Sequence, residues 1–402
     1  MHHGLPGSRV TKMPRLSEIS QQYLGQPMFR IIDLARSLEQ QGLDVVHLEI
    51  GDPDFGTPHP IKTAAIRALE VDDTHYVSSW GLPEFRQAIC DATRLSRNFE
   101  PDLNQVLVTP GANVGIWYAI ESAVDPGDEV LYPDPGFPTY RSTIAATSAR
   151  GVPYTLNPDD GFQVTVSSIE PHITSKSRLL IINSPQNPTG AVTTEENLRE
   201  VFALAAERDL WVYADEIYAR MNFGDTKHFS VSSIDRCLER TILSNGFSKA
   251  FAMTGWRLGT LIAPAALAER MMLLLQTTAS CVPPFIQRGG LEALMGDQAP
   301  INSMMNEYRA RRDFVIESLN SIPGVSGANP GGAFYAFPNV SAFGLSSEEV
   351  ARRLLEECFV ATVPGNHFGS GGEGFIRLAF ATSMERLELG LERMKKFFES
   401  LQ

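Results

Sequence analysis

From about residue 104 to 265 the chain alternates short apolar runs with longer stretches of helical periodicity. The runs are QVLVT, DEVLYP, RLLIIN, LWVYAD, TILSNG and LGTLIA. Each is apolar at successive rather than alternate positions, the pattern of a strand buried on both faces. Such strands, separated by helix-length segments, predict an α/β body with a mostly parallel sheet sandwiched by helices. Helix starts are marked as well. Pro83 suits a first turn, and Thr193 with Glu196 has the spacing of a capping box ahead of Leu198, Val201, Phe202 and Ala205. The spacing recurs at Ser346 with Glu349 and at Thr382 with Glu385, the latter opening a helix striped by Leu387, Leu391, Met394 and Phe398.

After a long helical stretch beginning near Ile301 the chain carries fewer strands and longer helices, with FIRLAFA between two of them. A smaller α+β domain is expected there. The expected organisation is an N-terminal arm over 1–30, a large ligand-binding domain over 50–300, and a small domain made from 31–49 and 301–402. The arm lacks periodicity and would pack on another subunit or on the other lobe.

Composition narrows the partners. Of 402 residues, 43% are apolar and 20% charged, an ordinary balance for a globular protein. Lys and Arg number 34 against 47 Asp and Glu, a net charge of -13, which argues against nucleic acid or an anionic membrane as partner. Arg9, Lys12 and Arg15 precede no apolar signal core, and no run approaches the ~20 apolar residues of a membrane span, so a cytoplasmic protein is expected. Cys90, Cys237, Cys281 and Cys358 are scattered and read as reduced packing residues, with no metal site.

In open α/β sheets ligands gather beyond the carboxyl ends of the strands. There this chain places Pro110-Gly111-Ala112-Asn113, Asp134-Pro135-Gly136-Phe137, Asn183 to Gly190, Asp215, and Ser248-Lys249. The Gly111-Ala112 turn opens a helix whose free N–H groups and positive dipole end suit a phosphate, although such a turn is common as a plain loop. Asp215 is costly to bury alone. It either meets a cation such as a protonated ring nitrogen or serves as a helix cap or ion-pair member. Tyr218 reads first as core, with a hydroxyl able to reach a neighbouring ring oxygen.

The run SNGFSKAFAMTGWRLG, Ser244 to Gly259, resembles the cofactor-lysine signature of class I/II aminotransferases, the fold-type-I pyridoxal-phosphate enzymes. LEIGDPDFGTP, YVSSWGLPEFRQAI, VTPGAN, NSPQNPTG, VYADEIY, GGAFYAF and FIRLAFATS accompany it in the family's order over nearly the whole chain. The resemblance implies pyridoxal 5'-phosphate held by Lys249 as a Schiff base, with Lys249, Asp215 and Tyr218 as the catalytic set. Arg257, Ser248 and the Gly111/Ala112 backbone would hold the phosphate, with Asn113 in the same turn. Asp215 would face the pyridine nitrogen, Tyr218 and Asn187 the ring's 3-oxygen. Phe137 would stack on the ring, or be plain core. Arg377 would grip the substrate α-carboxylate, its planar fork suiting a bidentate contact, with Gly51 and Asn187 beside it; the alternative is an internal ion pair. Tyr76 resembles the tyrosine that reaches the neighbouring subunit's phosphate, which implies a homodimer with shared sites.

Two departures bear on the site. Gly246 stands where many members carry Ser or Thr, leaving Ser244 or Ser248 as the replacement hydroxyl. No basic residue lies near Asn113, which points to amino acids with uncharged side chains, with Trp80 and the segment around Phe29 and Ile31 as pocket candidates. The implied reaction moves an amino group from an L-amino acid to a 2-oxo acid by a ping-pong route. Elimination, cyclisation or oxidation on the same cofactor are alternatives, as is a non-catalytic cofactor-binding regulator.

Overall fold

Each apolar run singled out above forms a strand, and consecutive residues along it enter different cores. The structure, a computed structural model, describes residues 14–22, 25 and 27–402; the first part of the expected arm, with Arg9 and Lys12, lies outside them. After β1 (Val46–His47) come β2 (Val106–Thr109), β3 (Glu129–Asp134), β4 (Arg150–Thr155), β5 (Ser177–Asn183), β6 (Trp211–Asp215), β7 (Thr241–Gly246) and β8 (Gly259–Ile262). The last seven form one sheet in the order β2-β8-β7-β6-β5-β3-β4. Only β8 runs against its neighbours; the other pairings are parallel.

Leu107, Val130, Leu179, Ile181, Tyr213 and Ile242 pack with the helices Ala112–Ala123, Pro138–Ala146 and Ala265–Ala279 on one face. Val108, Leu131, Leu180, Ile182, Val212 and Leu243 pack with the Glu195–Glu207 helix on the other. Strand side chains alternate between faces, so a sheet covered twice needs both sets apolar. Each such Leu or Ile stabilises the fold by about 1.5–3 kcal/mol on burial. β4 had no such run. It lies at the sheet edge with mostly exposed side chains, where Pro153 costs no interior ladder bond.

The remaining strands are β9 (Tyr335–Ala336), β10 (Val360–Ala361), β11 (Val363–Pro364) and β12 (Ile376–Ala379), the last from FIRLAFA. β11-β12-β9 is antiparallel, and β1 pairs in parallel with β10. The helices Ala299–Asn320, Ser347–Cys358 and Met384–Glu399 accompany them. The helix Met28–Gln40 begins inside the segment expected as an arm and buries Ala35 against Val45, Leu355 and Ala361.

Pro83 opens its helix, and the Ser346 hydroxyl accepts the Glu349 N–H at 3.2 Å. The other two caps sit one residue later than expected. Thr194, not Thr193, accepts from Asn197 N at 3.3 Å, and Ser383, not Thr382, accepts from Arg386 N at 3.3 Å. Thr193 lies just ahead of the cap, buried, with its amide donating to Ser184 Oγ at 3.0 Å. Among the described residues no helix is long and apolar enough to cross a membrane, and no cluster of His, Cys, Asp or Glu is arranged to hold a metal. All four cysteines are free, with Cys90 and Cys237 buried.

Candidate active site

The segments following β2, β3, β5, β6 and β7 converge on one cavity of about 270 Å³. Ala112, Asn113, Phe137, Asn187, Asp215, Tyr218, Ser248, Lys249 and Arg257 line it, and Gly51 and Arg377 close it from the side of the smaller sheets. Gly111 adjoins this wall as the residue preceding the Ala112–Ala123 helix.

At one end that helix starts from Gly111 at φ 91°, with no side-chain cap. The positive φ favours glycine, and a Cβ there would push the Arg257 guanidinium away from the helix end. Arg257 donates to the Thr254 carbonyl at 3.0 Å and has no carboxylate partner among the described residues. Uncapped amides beside a guanidinium suit a phosphate. Gly246 has its own reason: a Cβ there would lie 2.8 Å from Ile217 Cδ1, so a Ser or Thr would displace Ile217. Of the two replacement hydroxyls considered, Ser248 lines the cavity, whereas Ser244 is fully buried in β7 outside it.

At the sheet end, Asp215 terminates β6. Tyr140 donates to its Oδ2 at 2.7 Å and the Ile217 N–H to its Oδ1 at 3.3 Å. Among the described residues it has no ion-pair partner within salt-bridge distance. Burial pushes its carboxyl up from 3.8 to about 6, against the lowering effect of those two donors. Its neighbour Glu216 goes the other way: burial raises it, but Arg97, His228 and Ser230 together bring it down to about 2. Two adjacent acids thus differ by what surrounds them: Glu216 is held by Arg97 and His228, whereas Asp215 feels only the more distant charge of Lys249. Tyr218 shares a hydrogen bond of 2.9 Å with the Tyr335 hydroxyl, and burial raises its phenol.

A short strap after β1 joins the two cationic side chains. Lys249 Nζ donates to the Gly51 carbonyl at 2.6 Å and lies 5.6 Å from the Phe334 ring centre. Arg377, only 1% exposed, donates from Nη2 to the Glu49 carbonyl and from Nη1 to Asn187 Oδ1 at 3.1 Å. Its Nε has no partner, and its charge is flanked by the Tyr335 and Phe368 rings at 4.5 and 4.8 Å. No carboxylate among the described residues pairs with it, so the internal ion pair considered from the sequence does not form. Burial lowers its pKa, as expected for a cation awaiting an anion.

Tyr140, Asn183 and Tyr335, to which the sequence assigned no role, hold Asp215, Asn187 and Tyr218 in place. Asn183 Oδ1 accepts the Asn187 N–H at 2.9 Å. Asn183 and Tyr335 lay inside motifs already singled out, but nothing in the sequence marked them above their neighbours. Phe29 lines the cavity as expected. Its segment does so through Met28, Phe29 and Ile32, with Ile31 itself turned elsewhere, whereas Trp80 does not line the cavity and packs beneath Arg86. Tyr76 lies outside the cavity, 87% exposed.

Uncapped helix amides with a guanidinium at one end, a buried carboxylate without an ion-pair partner among the described residues at the other, and a lysine between them fit pyridoxal phosphate. The chain matches the model of the family aminotransferase class I and II over residues 43–394. It is 39% identical to an aspartate aminotransferase of Pyrococcus abyssi, covering 91% of this chain and 94% of that one. It is 38% identical to aromatic-amino-acid aminotransferase 2 of Thermococcus litoralis, with the same coverage of 91% and 94%. The solved aromatic aminotransferase from Pyrococcus horikoshii OT3 superposes with a TM-score of 0.86 at 38% identity, covering 91% of this chain and 99% of that one. The chain belongs to the class I and II aminotransferases, enzymes of fold type I that depend on pyridoxal phosphate.

The position of Asp215 gives a measurable consequence for the cofactor-free protein. With a folded value raised to about 6, ionising this group costs stability, and the cost grows as pH rises from about 4 through 6. Fully ionised, it amounts to about 3 kcal/mol. Asp215→Asn removes that cost, so the variant should gain on the wild type between pH 4.5 and 7 in urea unfolding. Parallel pH profiles for the two proteins would contradict the buried, unpaired assignment.

Proposed function

We propose that this transaminase works by a two-stage exchange in which Lys249 carries the cofactor and Arg377 anchors the substrate carboxylate. The observation that carries the reading is a fully enclosed guanidinium with no carboxylate among the described residues at ion-pair distance, facing the same cavity as a lysine amine. Pyridoxal phosphate, when bound, supplies an aldehyde carbon for the amine and a ring that accepts electrons from the substrate Cα. Asp215 would keep the ring nitrogen protonated, with Tyr140 and Ile217 N–H holding its carboxylate in place. Tyr218 and the Asn187 amide nitrogen would face the ring's 3-oxygen, and Phe137 would cover one ring face. Arg257, Ser248, Asn113 and the amides after Gly111 would bind the phosphate. Gly51 and Arg377 would orient the amino acid, and Lys249 Nζ, once free, would take the proton from Cα.

The rest of the cavity wall points to the substrate side chain. Met28, Phe29, Ile32 and Ile50 are apolar, and the one further charged group is Asp52, held by Thr254 at 2.7 Å. An acidic side chain there would be desolvated beside another carboxylate, so uncharged amino acids are the preferred donors. The exposed Tyr76 supports a homodimer in which each copy completes the other's phosphate site. Pairing of β1 with β10, and packing of the Met28–Gln40 helix beside it, support assigning 31–49 with 301–402 to the small domain and 50–300 to the large one. We place the enzyme in the cytoplasm.

The test is a half-reaction. Single amino acids are mixed with cofactor-loaded protein without any 2-oxo acid, while the cofactor's visible absorption and the released product are followed. Leucine and phenylalanine should each convert the cofactor and yield one equivalent of 2-oxo acid, at least about tenfold faster than aspartate, a gap of about 1.4 kcal/mol. Release of ammonia with repeated turnover would instead indicate oxidation, or elimination where the amino acid carries a β leaving group, and overturn the exchange.

A further inference from the structure

Glu49 is tied to the site twice, once through its backbone and once through its side chain. Its carbonyl accepts Arg377 Nη2. Its carboxylate has no exposed surface, and its partner is His47, whose Nδ1 lies 2.8 Å from Oε1; Oε2 has none. The other ring nitrogen, Nε2, lies 3.0 Å from Glu39 Oε1 on the Met28–Gln40 helix. An ionised carboxylate only accepts, so a ring with a carboxylate at each nitrogen donates from both, which requires the imidazolium. Without that charge Glu49 would lose the donor on Oε1 and would keep only the more distant charge of Arg377.

We propose that His47 is a positioning residue: as an imidazolium it clamps the Glu49 carboxylate, fixes the peptide that orients Arg377, and ties that peptide to the helix bearing Phe29 and Ile32. The proposal rests on reading Arg377 as the carboxylate anchor. Other charges around β1 are already engaged. Arg386 and Arg393 pair with Asp44, and Arg386 also donates to the Val45 carbonyl. The neighbouring strand β10 presents only Val360 and Ala361, and Arg377, which donates to the Glu49 carbonyl, feels the Glu49 charge from beyond ion-pair distance. Glu39 and Glu49 are therefore the acids that face the ring. Hydrogen bonding to Glu49, opposed by burial and assisted by Glu39, lifts His47 from 6.5 to about 9. A raised value in the folded state means that the clamp is complete below 6.5 and is lost as pH rises through about 9.

The probe is 3-phenylpropanoate, a carboxylate with no amine to titrate, used as an inhibitor of the loaded enzyme and as a calorimetric ligand of the cofactor-free protein. His47→Gln should weaken its binding at pH 7.5 by about tenfold, the scale of one charge-assisted hydrogen bond, with kcat changed by less than about twofold. The ratio of variant to wild-type Ki should fall towards one above pH 9. Glu49→Gln, which keeps an acceptor for the ring but no charge, should show the same weakening at pH 7.5. If Arg377→Ala abolishes binding but His47→Gln leaves Ki unchanged from pH 7 to 10, the positioning role is overturned, even if the melting temperature falls. If Arg377→Ala itself leaves Ki unchanged, the reading of Arg377 fails instead.

Discussion

Lys249→Ala is expected to lower kcat by at least about 10⁴-fold, or about 5.4 kcal/mol of barrier at 1.36 kcal/mol per decade. In the proposed mechanism one amine holds the cofactor and carries the Cα proton, and among the described residues no second lysine lines the cavity. Lys249 Nζ sits at 2.6 Å from the Gly51 carbonyl, and the other cations of the cavity, Arg257 and Arg377, are guanidiniums that do not deprotonate. The measurement is single-turnover conversion of phenylalanine by cofactor-loaded protein, with borohydride reduction and peptide mapping of the wild type. Wild-type rates in the alanine variant, or a label on another residue, would end the assignment.

Arg377→Ala should reduce kcat/KM by roughly 10²- to 10³-fold, the range for truncating one partner of a buried, hydrogen-bonded charge pair. Arg377→Lys should recover little of it. A lysine keeps the charge but cannot donate to Asn187 and the Glu49 carbonyl while presenting a planar fork to a carboxylate. Stability should respond in the opposite sense. In the cofactor-free protein Arg377 is a buried cation that no carboxylate among the described residues meets at ion-pair distance, so Arg377→Met should unfold at an equal or higher urea concentration than the wild type. A large loss of stability together with an unchanged kcat/KM would make Arg377 a structural residue.

The strands of the large sheet were legible because both faces are buried: Leu179 to Ile182 is apolar at every position, and each residue has a core to enter. β4 was not, because an edge strand with exposed side chains carries no such mark. Helix caps were legible to within one residue. In Thr193-Thr194 and Thr382-Ser383 both members are residue types that can cap, and the spacing alone did not separate them. Helical phase explains the pocket candidates: one residue along a helix turns a side chain by about 100°, so Ile32 reaches the cavity and Ile31 faces away. In the site, residues whose type is chemically costly to bury, Asp215 and Arg377, stood out in the sequence. Tyr140 and Tyr335 did not, since a tyrosine in an apolar segment is ordinary core until the fold shows what its hydroxyl meets.

The strap between Glu49 and Gly51 engages the amine and the guanidinium through peptide oxygens rather than through side chains. No point substitution can delete either acceptor; it can only move one. Gly51 is where movement is hardest to avoid, since any β-carbon would land 1.9 Å from the Tyr335 hydroxyl. Damage there would disturb both anchors at once, which makes this short stretch of main chain less tolerant of mutation than any of its side chains would suggest.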